Sequence, residues 1–74
     1  MKTLKVKELV EILKNCNQDS DVFLSVDEEG NGYSTIDESM SFESMENGKV
    51  LIIYPFAEGI DYDDIEEEYN KNNE

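Results

Sequence analysis

Carboxylates outnumber ammonium groups by 13 in a chain of only 74 residues, and that imbalance limits both what the chain can fold into and what it can bind. Nineteen Asp and Glu face six Lys, with no Arg and no His. A compact state must keep these charges at its surface, and a chain this short buries only roughly 60 to 65% of what its unfolded form exposes. A single small domain with a modest core, spanning residues 1–74, is the expectation.

The charge also excludes partners. Proteins that grip nucleic acid neutralise phosphates with Lys and Arg, and here neither the guanidinium groups nor enough ammonium groups exist, so direct nucleic-acid binding is not expected. Anionic lipid would repel the chain, and its longest apolar run, residues 50–54, is far shorter than the roughly 20 residues a membrane-crossing helix needs. No charged leader with an apolar stretch opens the sequence, and Cys16 has no second cysteine to pair with. A reducing cytoplasm is the expected setting. The acids are not spread evenly: residues 1–18 sum to +2, residues 19–48 to −9, residues 49–57 to +1 and residues 58–74 to −7. A polarised surface should result.

Apolar spacing places those blocks on elements. Val6, Leu9, Val10, Leu13 and Cys16 recur every three or four residues, with Ile12 widening the stripe, which predicts a helix over 6–15 laid on a core with the Cys16 thiol buried. Thr3 is the nearest side chain able to cap it. Residues 21–27 alternate Val22, Leu24 and Val26 against Phe23 and Ser25, a strand whose Val22 face should be buried. Two glycines and an asparagine make 27–32 a turn, and a strand over 33–37 should follow. Residues 40–45 share an apolar strand face only in part. Asn47-Gly48 marks a hairpin turn into 49–54, whose unbroken apolar run suits a strand covered on both sides until Pro55 stops it. Tyr62, Ile65 and Tyr69 predict a helix over 62–70, with Asp61 at its cap, Asp64 reaching back, and fraying over 71–74. The fold class is α+β: a three- to four-stranded, mainly antiparallel sheet with a helix at each end.

One segment imitates a metal site. In 27–38, Asp27, Glu29, Asn31, the Tyr33 carbonyl and Glu38 fall at calcium-loop positions 1, 3, 5, 7 and 12, with Gly32 at 6. Against it, position 3 carries Glu, the apolar residue expected after Tyr33 arrives late as Ile36, and a strand pattern stands where a helix should enter. An acidic turn is the simpler account, with calcium binding as the alternative. Catalysis has less support. Without His there is no imidazole base, no Gly-rich loop ends in Lys and Ser or Thr, and no cofactor motif is present, so neither an enzyme nor a cofactor is expected.

What remains is charge used for recognition. Asp27, Glu28, Glu29, Asp37 and Glu38 around the turn, and Asp61, Asp63, Asp64, Glu66 and Glu67 on the closing helix, are candidates to imitate nucleic-acid phosphates, with Tyr33 as an aromatic anchor among them. The partner would be a basic, nucleic-acid-binding protein. A net charge of −13 also exceeds the magnitude of about 2 to 8 that solubility asks of a small domain.

The phrases V-K-E-L-V-E-I-L-K at 6–14, Q-D-S-D-V-F-L-S-V at 18–26 and D-E-E-G-N-G-Y at 27–33 resemble a loose group of small bacteriophage and prophage proteins. These pair an amphipathic opening helix with a strand and a glycine-rich turn; this chain has Cys16-Asn17 where the group often has Leu-Pro. In size and acidity it is also similar to phage anti-restriction and anti-CRISPR inhibitors that mimic DNA. The resemblance implies a host nuclease, restriction or CRISPR effector, or repressor as target, in the bacterial cytoplasm. Two alternatives stand beside it: an accessory or structural phage protein acting through protein contacts, and the calcium module.

Overall fold

The computed structural model describes residues 1–70, so the expected fraying of 71–74 lies outside the described residues. In chain order the elements are α1 (Val6–Lys14), β1 (Phe23–Ser25), β2 (Tyr33–Thr35), β3 (Phe42–Met45), β4 (Val50–Ile53) and α2 (Tyr62–Asn70). The α+β class, the antiparallel pairing and the helix at each end all hold. The four strands divide into two ribbons, β1 with β2 and β3 with β4. Among the described residues no helix is long and apolar enough to cross a membrane.

α1 begins at Val6 as expected, but its N-cap is Lys5, not Thr3. Lys5 has no side-chain acceptor to offer, but its own N–H donates to Glu8 Oε1 at 2.7 Å, which is half of a capping box. At the other end Gln18 Nε2 donates to the carbonyls of Leu13 and Cys16, each at 2.9 Å, and ties the chain that leaves α1 back to its last turn. Cys16 lies past the helix and is exposed, contrary to the buried thiol its spacing implied. The cause is that nothing covers this face: α1 makes no extensive contact with a strand or with α2.

β2 is the centre of the second half. β1 pairs with one of its edges in the register Phe23 to Thr35, Leu24 to Ser34 and Ser25 to Tyr33. The chain leaving β4 turns at Pro55 and runs along the other edge: Phe56 N–H donates to the Thr35 carbonyl, Thr35 N–H to that of Ala57, and Tyr33 and Ile60 exchange both of their backbone bonds. Five residues, 56–60, thus face three on β2, and Gly59 at φ +78° lies within the excess. This crossing ties the two ribbons together.

The alternation in β1 holds only at Leu24, which is half-buried opposite the buried Ser34. Val22 and Val26 are exposed, whereas Phe23, with Tyr33 and Thr35 beside it on the same face, is half-buried beneath α2. Neither face of the ribbon is closed, and the face toward α2 is the one that carries the aromatic rings. β4 differs from expectation too, since Val50 and Leu51 are exposed and Ile52 and Ile53 only half-buried, so neither face is closed. The hairpin signal is realised in a four-residue loop where Glu46, Asn47 and Gly48 all have positive φ. Among the described residues no hydrophobic side chain is buried; the buried ones are Ser34 and Ser41.

Candidate acidic interface

Three tyrosine contacts fix the closing helix. At its N-terminal end the Tyr62 ring meets Tyr33, with centroids 6.3 Å apart and planes tilted by 52°. At its C-terminal end Tyr69 meets Phe23 edge-on, also at 6.3 Å, and its hydroxyl donates to Asp21 Oδ2. Ile65, between them, is half-buried. α2 therefore runs antiparallel to β1, with its first turn beside the end of the hairpin that carries 27–32. The start is locally encoded: Asp64 Oδ2 accepts from Asp61 N–H at 3.1 Å, and the Asp61 carbonyl accepts from the N–H groups of Asp64 and Ile65. Asp63 and Asp64 also sit at the positive end of the helix dipole.

With Tyr62, Ile65 and Tyr69 turned to the hairpin, the helical period sends Asp63, Asp64 and Glu67 to the opposite side and Glu66 and Glu68 to the flanks. All are exposed. From Asp61 to Glu68 six acids occupy seven rises of the helix, one carboxylate per about 2 Å of axis, against one phosphate per about 1.7 Å of duplex axis. Like charges three and four apart, Asp63 with Glu66 and Glu67, Asp64 with Glu67 and Glu68, cost the helix about 1 to 2 kcal/mol together, and its last turn has no basic residue.

The turn residues divide by role. Asp27 holds the turn: its carboxylate accepts from the Asn31 side-chain amide at 2.8 Å, from Asn31 N–H and from Glu29 N–H, and these bonds, Asn31's side chain first, hold its carboxyl below the usual range. Asp37 does the same for 37–41, where the Ser39 hydroxyl and N–H and the Met40 N–H donate to it and lower its pKa, Ser39's hydroxyl foremost. Glu28 and Glu29 are exposed on the turn; Glu38 is exposed at the rim of a groove shared with Asp21, Phe23, Thr35, Phe42 and Tyr69. Tyr33 is half-buried and packs inward on Tyr62. Asp21 was not singled out from the sequence; its link to Tyr69 spans 48 positions, and no local pattern signals it.

The calcium-loop geometry is not assembled. The Tyr33 carbonyl accepts Ile60 N–H in the β pairing, Asp27 is occupied by Asn31 and Glu29, and Glu38 lies past β2, away from the turn. Among the described residues no group of three or more Asp, Glu or Cys gathers as a metal site. No family model, curated protein or solved structure matches the chain.

Proposed function

We propose that this chain is a non-catalytic, phage-type inhibitor that occupies the basic nucleic-acid-binding surface of a host protein as a phosphate mimic, with no cofactor. One observation supports the reading: α2 is held through Tyr62 and Tyr69 so that Asp63, Asp64 and Glu67 face away from the hairpin, with every acid of the helix exposed. Within Tyr62–Asn70 the acids repel one another at spacings of three and four, and the last turn of the helix holds no basic residue, a cost that an opposing basic groove would offset. Asp63, Asp64, Glu66 and Glu67 contact the partner, with Asp61, Glu28, Glu29 and Glu38 extending the field. Asp27, Asp37 and Tyr33 hold the scaffold that presents them.

The test is capture from bacterial lysate at low salt, followed by competition with DNA and with RNA. The expected partner is a basic protein that elutes as salt shortens the screening length from about 10 Å at 0.1 M to about 3 Å at 1 M, and that nucleic acid displaces. Changing Asp63, Glu66 and Glu67 together to Asn, Gln and Gln abolishes capture, while Glu43→Gln with Glu46→Gln on the other ribbon leaves it intact. Capture that is indifferent to salt and to nucleic acid refutes the proposal. A second reading, an accessory phage protein acting through apolar contacts, is favoured by the uncovered face of α1.

A further inference from the structure

Where the two ribbons meet the C-terminal end of α2, aromatic rings and carboxylates border one groove. Its volume is about 510 Å³, within the range of roughly 300 to 1,000 Å³ found for small-ligand sites. Phe23 and Ile36 lie half-buried in it, and Phe42 and Tyr69 stand beside them 41 and 50% exposed. Three of the chain's seven Phe and Tyr rings thus share one depression. Asp21 and Glu38 complete its border, and among the described residues no Lys does. The pairing is not acidity repeated at every hollow: the groove between residues 3–9 and 48–53 is bordered by Lys5 and Lys49 and, among the described residues, by no acid.

Both carboxylates have acceptors unused. The Tyr69 hydroxyl donates to Asp21 Oδ2 and holds that carboxylate at the groove, while among the described residues nothing donates to Oδ1. Glu38 has no hydrogen-bond or ion-pair partner among the described residues. Its neighbour Asp37 differs, being occupied by the N–H groups of its own turn. An occupant that suits the groove carries positive charge, lies against rings and donates in more than one direction. A guanidinium does all three: it is planar and weakly hydrated, it stacks on aromatic faces, and its five N–H groups can serve two carboxylates while the methylene stem covers apolar surface. An ammonium is more strongly hydrated and loses more on leaving water.

We propose that this groove receives one arginine side chain of the partner, which donates to Asp21 Oδ1 and to the Glu38 carboxylate with its stem against Phe42 and Tyr69. That the arginine belongs to a nucleic-acid-binding protein rests on the function proposed above; the preference of the groove for a guanidinium does not. An arginine seated in an apolar pocket is a recurrent hot spot, and here it would fix the register of a contact whose remaining charges act at longer range.

N-acetyl-arginine methylamide, titrated into the isotope-labelled full chain and followed by NMR, tests the groove beside the lysine and norleucine analogues. Arginine should give saturable shifts of the Phe23, Phe42 and Tyr69 rings and the Ile36 methyls. Lysine should bind several-fold more weakly, and uncharged norleucine should not saturate. Glu38→Gln should weaken arginine binding about threefold to tenfold, with the backbone amide spectrum otherwise unchanged because Glu38 holds no other group. Asp21→Asn, which keeps an acceptor for the Tyr69 hydroxyl, should do the same, and Glu46→Gln in the β3–β4 loop should leave binding intact. Shifts spread over the acids of α2 without saturation at the groove overturn the assignment. So does equal binding of the lysine or norleucine analogue, or a Glu38→Gln variant that binds arginine as the unaltered chain does; the outward face of α2 then still carries the proposed function. Saturable arginine binding without a nucleic-acid-displaced partner in lysate upholds the groove and refutes the phosphate-mimic reading alone.

Discussion

Replacing Gly30 by Ala tests how the acidic turn is coupled to the closing helix. Gly30 has φ +74°, and a methyl group there would stand 2.7 Å from the Tyr33 hydroxyl oxygen and 3.6 Å from Cζ. Gly59, at φ +78°, has the same backbone requirement and nothing within 4 Å. Each substitution costs about 1 to 2 kcal/mol for an L-residue in the left-handed region, less about 0.4 to 1 kcal/mol from the stiffer unfolded chain, for a net near 1 kcal/mol. Gly30→Ala adds the displacement of a rigid ring that is seated on Tyr62, and at the low end of overpacking costs that is about 1 kcal/mol more. Urea unfolding at fixed protein concentration should therefore place Gly30→Ala about 1 kcal/mol below Gly59→Ala, or about 4 to 8 °C in a thermal melt. Tyr33→Phe removes the oxygen and leaves an ordinary 3.6 Å contact, so in that background the extra penalty disappears. Equal stabilities for the two glycine variants, within about 0.3 kcal/mol, or an excess that survives Tyr33→Phe, would refute the coupling.

Three further outcomes follow from the electrostatics. Glu67→Lys turns two repulsive spacings, to Asp63 and Asp64, into attractive ones and adds a cation near the C-terminus of α2, so thermal stability should rise by about 1 kcal/mol while partner capture is lost. Asp27 and Asp37 have depressed folded-state pKa values, so their contribution is complete above the ordinary carboxylate range and is lost as pH falls through the folded value; NMR titration should find both midpoints below that of an unstructured Asp, and Asn31→Ala should raise that of Asp27. The phenols of Tyr54 and Tyr69 are raised, chiefly by donating to Glu43 and Asp21, so their contribution is complete below the ordinary tyrosine value and is lost as pH rises through the folded one. Spectrophotometric titration should show two late tyrosines, and Asp21→Asn should move one of them back toward the ordinary value.

Features governed by neighbouring residues were legible in the sequence. The periods of α1 and α2, the Asp64 reach-back to Asp61, the glycine turn at 27–32 and the positive φ values at Asn47 and Gly48 all follow from residues within four positions of one another. The positive φ of Glu46 did not show, because Glu carries no turn preference and adopts it only to join Met45 and Val50 across four residues. In the candidate interface the acids were legible as a block, but their separation into scaffold and free surface was not. Asp27 and Asp37 look like Glu28 and Glu38 until the N–H groups they accept are located.

The sequence by itself determined the sign and amount of charge, the order of elements and the caps that start or stop them, because those depend on composition and on contacts a turn apart. Only the tertiary structure decided which face of β1 meets α2, that Asp21 anchors Tyr69, that β2 takes the 56–60 segment on its second edge, and that α1 and β4 stay open. These rest on packing between residues tens of positions apart, and a pattern of period two or 3.6 says which residues share a face but not what, if anything, covers it.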